Sequence, residues 1–584
     1  MWKQEVYGEK NMSEQHPQKD SGRQMKNRGY RGDRRTDTRP DRGYGRPAGN
    51  GRGPAGRSGM RTGQARDMAR DMARDMDREH REHSEHSTFP RTDRNRSVEK
   101  REGSFAGNAR GGRGFQSGRR NGERSESRFS APRRPAPVRD GLDPRRVALN
   151  VVRAVTENQA WASMVLDREL TKAGLTPQDR RLAARLAYDT IDHLMYLDWV
   201  LSQVMAREDT DIKLRNILRL GACQLLLEDR IPDMAATDTS VKLCKELGME
   251  GLAGVCNGIL RNLIRKREEL VFPDRTAEPM KYLSIMHSVP EFLVRRLVAD
   301  YGEEAAEKLM SVSGRDMAVT IRPNLMKMDD AQFEKLLEGK VWETGHGMIQ
   351  HAFKIRNMAN LGDDRDFVQG NFSIQSEQSQ MACLAVAPKR GWNVVDACAA
   401  PGGKSCYLAE MMDGTGRVYA WEVHEHRTRL IEAQMKRLGL ENIRPVTRDA
   451  SVPKPDLFGT MDAVLLDAPC SGTGEMHEKP DSRYRLQEDS VETMIALQQR
   501  ILEAVAPLVK KGGILVYSTC SVLADENERQ VEAFLKAHPE FAAEDLPDTI
   551  PEAIRAKRKL GVQLMPGVDA DGGFYICRMR RSRI

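Results

Sequence analysis

Two cysteines stand where apolar runs stop. One closes Asp467-Ala468-Pro469-Cys470, after Ala463-Val464-Leu465-Leu466. The other closes Tyr517-Ser518-Thr519-Cys520, after Gly513-Ile514-Leu515-Val516. A lone cysteine is usually a small buried packing residue. Two of them, ending the fourth and fifth strands that the pattern predicts, would meet on the edge where a sheet binds its ligands. That placement points to a thiol nucleophile, with two packing cysteines as the alternative. Three acids end the three preceding strands: Asp396, Glu422 and Asp449. Each alone fits a helix cap or a solvated charge. Three at successive strand ends fit a bound ligand better.

The elements that must position these residues begin with Val394-Val395-Asp396. A turn follows, Cys398-Ala399-Ala400-Pro401-Gly402-Gly403, and a helix opens near Lys404. A buried strand ending in an acid and a glycine turn is the first unit of a doubly wound sheet. Its ligands lie outside the carboxyl ends of the strands. From residue 391 onward, apolar strands alternate with helical stretches, as in a largely parallel sheet covered on both faces. Glu422 lies 20 residues after Gly402, where dinucleotide folds place an acid on ribose hydroxyls. The turn is not G-x-G-x-x-G, so the pyrophosphate signal is missing. A nucleoside cofactor without phosphates fits better, and S-adenosylmethionine is the candidate, with Asp449 beside its adenine.

A thiol is useful in such a site because carbon-5 of a pyrimidine is a poor nucleophile. Sulfur adding to carbon-6 turns the ring into an enamine-like species that can attack an electrophilic methyl group. A second group must then help remove the carbon-5 proton, and an acid near ring nitrogen-3 and the exocyclic amine would stabilise the adduct. Lys404 and the helix start beside it could supply the field that activates the thiol.

Asp396-to-Ser405, Leu465-to-Gly474 and Tyr517-to-Glu528 together resemble the Nop/Sun family of RNA 5-methylcytosine methyltransferases, over about 370–584. The resemblance implies that Cys520 is the nucleophile and that Cys470 assists proton removal and product release. It implies that Asp467 contacts the cytosine base, with Lys404 close to base and cofactor. It carries over Cys398, Ala399, Ala400, Pro401, Gly402, Gly403, Lys404, Glu422, Asp449 and Asp467 as cofactor residues. The second-strand acid is more often Asp in that family; here it is Glu422. His477-Glu478-Lys479-Pro480-Asp481 resembles the stretch that follows the first cysteine motif and approaches the RNA. A DNA cytosine methyltransferase would attack with the fourth-strand cysteine, leaving Cys520 without a role.

Upstream, residues 143–270 carry only helical patterning, with apolar residues recurring at three and four. Thr176-Pro177 reads as a helix start, and Pro232, Gly248 and Gly254 as punctuation. Ile231 to Lys266 is similar to the RNA-binding NusB-like module. Such a module ahead of this catalytic domain is the layout of bacterial family members acting on 16S ribosomal RNA. Residues 280–370 read as a small α+β connector. On its helix, Arg295 and Arg296 are candidate phosphate contacts, with a solvated helix face as the alternative.

Charge is uneven. Residues 1–140 hold 34 Lys+Arg against 20 Asp+Glu, leaving 59 against 65 in the rest of a chain of net charge +8. This first stretch, rich in Arg and Gly and poor in aliphatics, cannot bury enough apolar surface to order itself. Its Arg-Gly clusters fit single-stranded nucleic acid, or a solvated tail without a fixed partner. The repeat from Arg66 to Glu79 is expected to be transiently helical.

The expected architecture is therefore multidomain: a disordered basic N-terminal tail (1–140), an all-α NusB-like domain (143–270), a small α+β connector (280–370) and an α/β doubly wound, Rossmann-like class I methyltransferase domain (371–584). Nine cysteines without a CxxC pair suggest neither zinc nor a disulfide framework, so a reduced cytoplasmic protein without a metal is expected. No stretch of about 18 apolar residues and no signal-type apolar core occur. RNA is the expected partner, not DNA or a membrane, and the chain is expected to be a monomer. A tRNA cytosine-5 methyltransferase would share every catalytic residue. A non-catalytic RNA-binding assembly factor is the rival from another class, and S-adenosylmethionine binding separates it.

Overall fold

The computed structural model describes residues 143–583, apart from 208, 315–316, 359–360 and 558. The stretch 1–140, with its expected disorder and RNA affinity, and the Arg66–Glu79 repeat lie outside the described residues.

Seven helices come first: α1 (Pro144–Asn158), α2 (Ala162–Lys172), α3 (Pro177–Asp192), α4 (Leu194–Ser202), α5 (Ile212–Leu226), α6 (Asp233–Glu246) and α7 (Ala253–Arg265). Asp143 caps α1, its carboxylate accepting the Arg145 N–H at 2.9 Å. Thr176 caps α3 in the same way for Asp179, with Pro177 at the first position. Helix α5 is buried almost all round, as expected of a helix apolar on every face. A Cβ at Gly221 would lie 2.8 Å from Ser240 Oγ and 2.9 Å from Leu260, so only glycine lets α6 and α7 approach α5 there.

The helical pattern through 178–205 reads as one element, but the chain breaks at His193 (φ −114°, ψ 26°). The break leaves the Tyr196 N–H in a first helical turn, where it donates to Ser288 Oγ at 3.0 Å. The Tyr196 ring also stacks on Phe272 at 5.7 Å. The helical region is thereby tied to the segment after it. Gly254, expected as punctuation, instead sits in the first turn of α7.

The connector has two parts with separate cores. Helices α8 (Pro279–His287), α9 (Glu291–Tyr301) and α10 (Glu303–Met310) share a core with Met476, Val491, Val522 and Leu523 of the catalytic domain. An antiparallel sheet follows, of order β2-β3-β1-β4: β1 (Val319–Pro323), β2 (Glu343–His346), β3 (Phe353–Arg356) and β4 (Phe372–Ile374). It closes over Phe333 and Leu337 of α11 (Asp330–Glu338). Residues 372–374, expected to lead into the catalytic domain, therefore complete the connector sheet instead.

The catalytic sheet runs β10-β12-β9-β8-β5-β6-β7, with β11 beside β12. The strands are β5 (Asn393–Asp396), β6 (Arg417–Glu422), β7 (Ile443–Thr447), β8 (Met461–Asp467), β9 (Val509–Thr519), β10 (Phe541–Glu544), β11 (Val562–Leu564) and β12 (Phe574–Arg581). Strands β5 to β9 are parallel, and β10 to β12 pair antiparallel. Val394 and Val395 face opposite layers of core, so both faces are covered. The order reverses between β5 and β8, which places the ligand crevice at the ends of those strands.

Arg322 of β1 locks the connector to the helix after the glycine turn, α12 (Gly403–Met411). Its guanidinium pairs with both Glu410 oxygens, at 2.6 and 3.2 Å, donates to Gln375 at 2.7 Å and lies 4.2 Å over the Tyr407 ring. Both charged side chains are fully buried. Arg322→Met is expected to cost about 3–5 kcal/mol, because it strands the Glu410 carboxylate; Arg322→Met with Glu410→Leu is expected to cost less. Urea unfolding midpoints of the two variants check this.

Candidate active site

Two parallel strands set the site. Asp467 at the end of β8 is level with Ser518 of β9. The Ser518 hydroxyl donates to Asp467 Oδ1 at 2.8 Å, and Lys404 Nζ meets Oδ2 at 2.7 Å. Lys404 also sits 5.7 Å over the Phe574 ring. Burial works to lower its pKa, but the charge and hydrogen bond of Asp467 outweigh burial and hold it above the ordinary lysine value. The field expected from Lys404 on the nucleophile is thus balanced by Asp467. Three residues on, Cys470 Sγ lies 3.3 Å from Cys520 Sγ. The two candidate thiols therefore meet.

The loops bearing the thiols are laced together. The Gly474 N–H donates to the Cys520 carbonyl at 2.9 Å, Thr473 and Ser521 share a hydroxyl bond of 2.9 Å, and the Val522 N–H reaches Thr473 Oγ1 at 3.1 Å. A Cβ at Gly474 would lie 2.2 Å from the Gly573 carbonyl and 2.8 Å from that of Cys520, so this approach requires glycine. Ser471, Thr473, Ser518, Ser521, Gln498 and Glu526 were not singled out from sequence. Their bonds join positions 28 to 55 residues apart, and no local spacing announces them.

The residues expected to hold the cofactor lie on the Cys398–Lys404 turn and at or past the ends of β6 and β7. The Ala399 N–H donates to the Trp421 carbonyl at 2.8 Å, holding the Cys398–Lys404 turn against β6. The Ala400–Pro401 bond is cis. Gly402 has φ 106°, and a Cβ there would stand 3.1 Å from Ile431 Cα. Buried Asp396 accepts the Ser405 hydroxyl at 2.6 Å through Oδ2, while its Oδ1 is buried without a hydrogen-bond partner. Burial pushes the Asp396 carboxyl up to about 6, partly offset by the Ser405 bond. Glu422 is buried, accepts the His424 N–H at 3.0 Å and has Arg427 3.6 Å away. Asp449 is exposed. Its carboxylate takes the Ser451 N–H and hydroxyl, which hold its pKa below the usual value. The unpartnered Asp396 oxygen, the glycine cradle and a row of acceptors fit a hydroxyl-bearing, phosphate-free nucleoside.

The segment after Cys470 turns toward the helical region. Asp481 accepts the Ala162 N–H at 3.2 Å, Arg483 pairs with Asp192 at 2.8 Å, and Arg485 donates to the Ala160 carbonyl at 2.7 Å and stacks 4.0 Å over Trp161. Only its start stays open: Lys479 pairs with Glu475 at 2.6 Å and remains half exposed. Burial opposes the Lys479 charge, yet the nearby Glu475, Cys520 and Glu478 hold its pKa above the ordinary value. Arg296 does not meet the expectation of a phosphate contact. It is 16% exposed and faces Glu492, Asp525 at 3.3 Å and Glu488 at 3.9 Å, tying α9 to the catalytic domain. Arg295 pairs with Glu291 one turn away, at 2.9 Å.

The sheet order, its antiparallel β12 and the acid-lined cofactor edge define a class I methyltransferase. The family described as 16S rRNA methyltransferase RsmB/F matches residues 383–580, and the NusB family matches residues 142–265. The chain is 35% identical over 444 residues to the probable ribosomal RNA small subunit methyltransferase B of Bacillus subtilis (strain 168), covering 75% of this chain and 98% of that protein. It is 30% identical over 452 residues to the protein of the same name from Synechocystis sp., covering 76% and 100%. The crystal structure of PH0851 matches with a TM-score of 0.63 at 26% identity, covering 75% of this chain and 98% of that one. The chain belongs to the ribosomal RNA small subunit methyltransferase B family of S-adenosylmethionine-dependent enzymes. Among the described residues, no helix is long and apolar enough to cross a membrane.

Two outcomes follow from the cofactor edge. Gly402→Ala forces a left-handed residue against Ile431, at roughly 1–2 kcal/mol, so S-adenosylmethionine binding should weaken about tenfold or more by calorimetry. For Asp396, the folded pKa lies above the ordinary 3.8, so folding favours the protonated form. The stability this contributes is complete below about pH 4 and is lost as pH rises through about 6. Asp396→Asn should therefore gain on the parent by on the order of 3 kcal/mol across that window, read from urea midpoints at several pH values.

Proposed function

We propose that this chain methylates carbon-5 of a cytosine in 16S ribosomal RNA through a transient bond from Cys520 to carbon-6. The observation that carries the reading is the 3.3 Å approach of Cys470 and Cys520 beside the Asp467 carboxylate, at the ends of neighbouring strands. The Cys520 thiol passes its proton to solvent as Sγ bonds to carbon-6, nitrogen-3 takes up a proton, and the displaced pair of the carbon-5–carbon-6 double bond makes carbon-5 nucleophilic. Asp467 is fixed by Lys404 and Ser518 and keeps spare acceptor sites for the cytosine amine and a proton on nitrogen-3. Asp396, Gly402, Glu422 and Asp449 would hold S-adenosylmethionine, which would supply an electrophilic methyl group to carbon-5 and leave as S-adenosylhomocysteine. Carbon-5 then gives its proton to solvent water, that bonding pair restores the double bond, the carbon-6–sulfur pair returns to Cys520, and nitrogen-3 gives back the proton it took. Cys470 assists this release.

The NusB-like region and the half-exposed Lys479 lie on the RNA side of this scheme. The enzyme acts as a monomer in the cytoplasm, on RNA and not DNA. Two tests apply. Cys520→Ala should abolish methyl transfer and any covalent RNA adduct, whereas Cys470→Ala should trap the adduct as a shifted band on a denaturing gel. Normal methylation by both variants overturns the chemistry, and a reversed trapping pattern exchanges the roles. Bisulfite sequencing of RNA from a deletion strain should show one 16S cytosine unprotected; loss at a tRNA position would reassign the substrate.

A further inference from the structure

The residues that flank Cys470 are held from one point. The Ser471 N–H and hydroxyl donate to the two oxygens of Glu526, at 2.8 and 2.5 Å. Gln498 Nε2 bridges Glu526 Oε1, at 3.0 Å, and the Pro469 carbonyl, at 2.9 Å. The Tyr517 hydroxyl donates to the main-chain carbonyl of Glu526 at 2.7 Å. Both Glu526 and Gln498 have no exposed surface. A buried carboxylate facing no lysine or arginine among the described ion pairs is costly to keep. The carboxylate accepts three donors on its two oxygens; an amide would offer one acceptor oxygen and turn an NH2 group toward the Ser471 hydroxyl. The carboxylate stands behind one cysteine and not the other.

We propose that Glu526 is a positioning residue for the release half of the reaction: it fixes the peptide on both sides of Cys470 and so sets where that thiol stands relative to Cys520. This rests on the roles given above to the two cysteines. Glu526 touches neither base nor cofactor; it acts through Ser471 and Gln498. The Cys470 thiol is pushed well above its ordinary pKa, first by its hydrogen bond with Cys520, then by burial, then by the charges of Cys520 and Glu526. The carboxylate thus also favours a neutral Cys470.

The test uses the full chain, S-adenosylmethionine and an unmodified 16S rRNA transcript. Glu526→Gln keeps the size of the side chain and removes its charge. Ser471→Ala removes one of its bonds and leaves the carboxylate in place. Methyl transfer, adduct on a denaturing gel and S-adenosylmethionine affinity are measured for each, with Cys470→Ala alongside. Glu526→Gln should lower multiple-turnover methylation at least tenfold and raise the adduct fraction toward that of Cys470→Ala, with cofactor affinity within twofold of the parent. Combining it with Cys470→Ala should add no further adduct. A parental adduct fraction, or loss of adduct as in Cys520→Ala, overturns the proposal while the cysteine roles stand. If Cys470→Ala itself traps nothing, those roles fail and the proposal with them. Should Glu526→Gln not fold, Ser471→Ala decides: adduct above the parent supports the proposal, and a parental level overturns it.

Discussion

Two sulfur atoms 3.3 Å apart gain little from each other and must be held in place by their surroundings. The holding is done by the backbone. Strands β8 and β9 pair in register from Ala463–Ile514 to Asp467–Ser518, so the two chains leave the sheet side by side. Beyond the last paired residues, the Gly474 N–H and the Cys520 carbonyl continue the tie between the chains. Glycine at 474 is required because the Gly573 and Cys520 carbonyls occupy the space a Cβ would fill. A strand pair fixes spacing better than loops alone.

Packing behind the loops extends this constraint to the rest of the chain. Met476, which follows the Cys470 loop, and Val522 and Leu523, which follow Cys520, are buried in the same core as Leu283, Leu293 and Leu297 of the connector helices. Past Met476, residues 481–485 are bonded to Ala160, Ala162 and Asp192 of the helical region. The segment that leaves Cys470 is thus the segment on which the NusB-like helices rest. RNA held by those helices would be oriented by contacts continuous with the active-site loop, and Lys479 stands at the open end of that path.

Sequence was most informative where chemistry and local backbone coincide. Asp396, Glu422 and Asp467 end strands, and the glycine turn opens a helix, because those features follow from spacing alone. Glu526 was invisible for the opposite reason. In Leu523-Ala524-Asp525-Glu526-Asn527-Glu528 it is one acid among three, and only the fold shows that it is the buried one, joined to Ser471 some 55 residues earlier. Arg296 looked like a phosphate ligand because charge on a helix says nothing of the acids that another domain brings to it. The break at His193 carries no proline or glycine; the Tyr196 N–H that it frees is taken up by Ser288, 92 residues away. Residues 372–374 join β1 and not the catalytic sheet because strand pairing is non-local, and three residues carry no partner preference of their own.

Electrostatics then separates two side chains of the same type. Two thiolates at 3.3 Å would repel by roughly 5 kcal/mol at an effective dielectric constant of 20, so a second negative charge on the pair is strongly disfavoured. The bond to Cys520, burial and the Glu526 carboxylate behind it all work against a negative charge on the Cys470 sulfur. In the proposed release step, the electron pair returning to Cys520 would meet the Cys470 thiol beside it. Identical residues in unlike surroundings can thus hold different roles without any difference in their own chemistry.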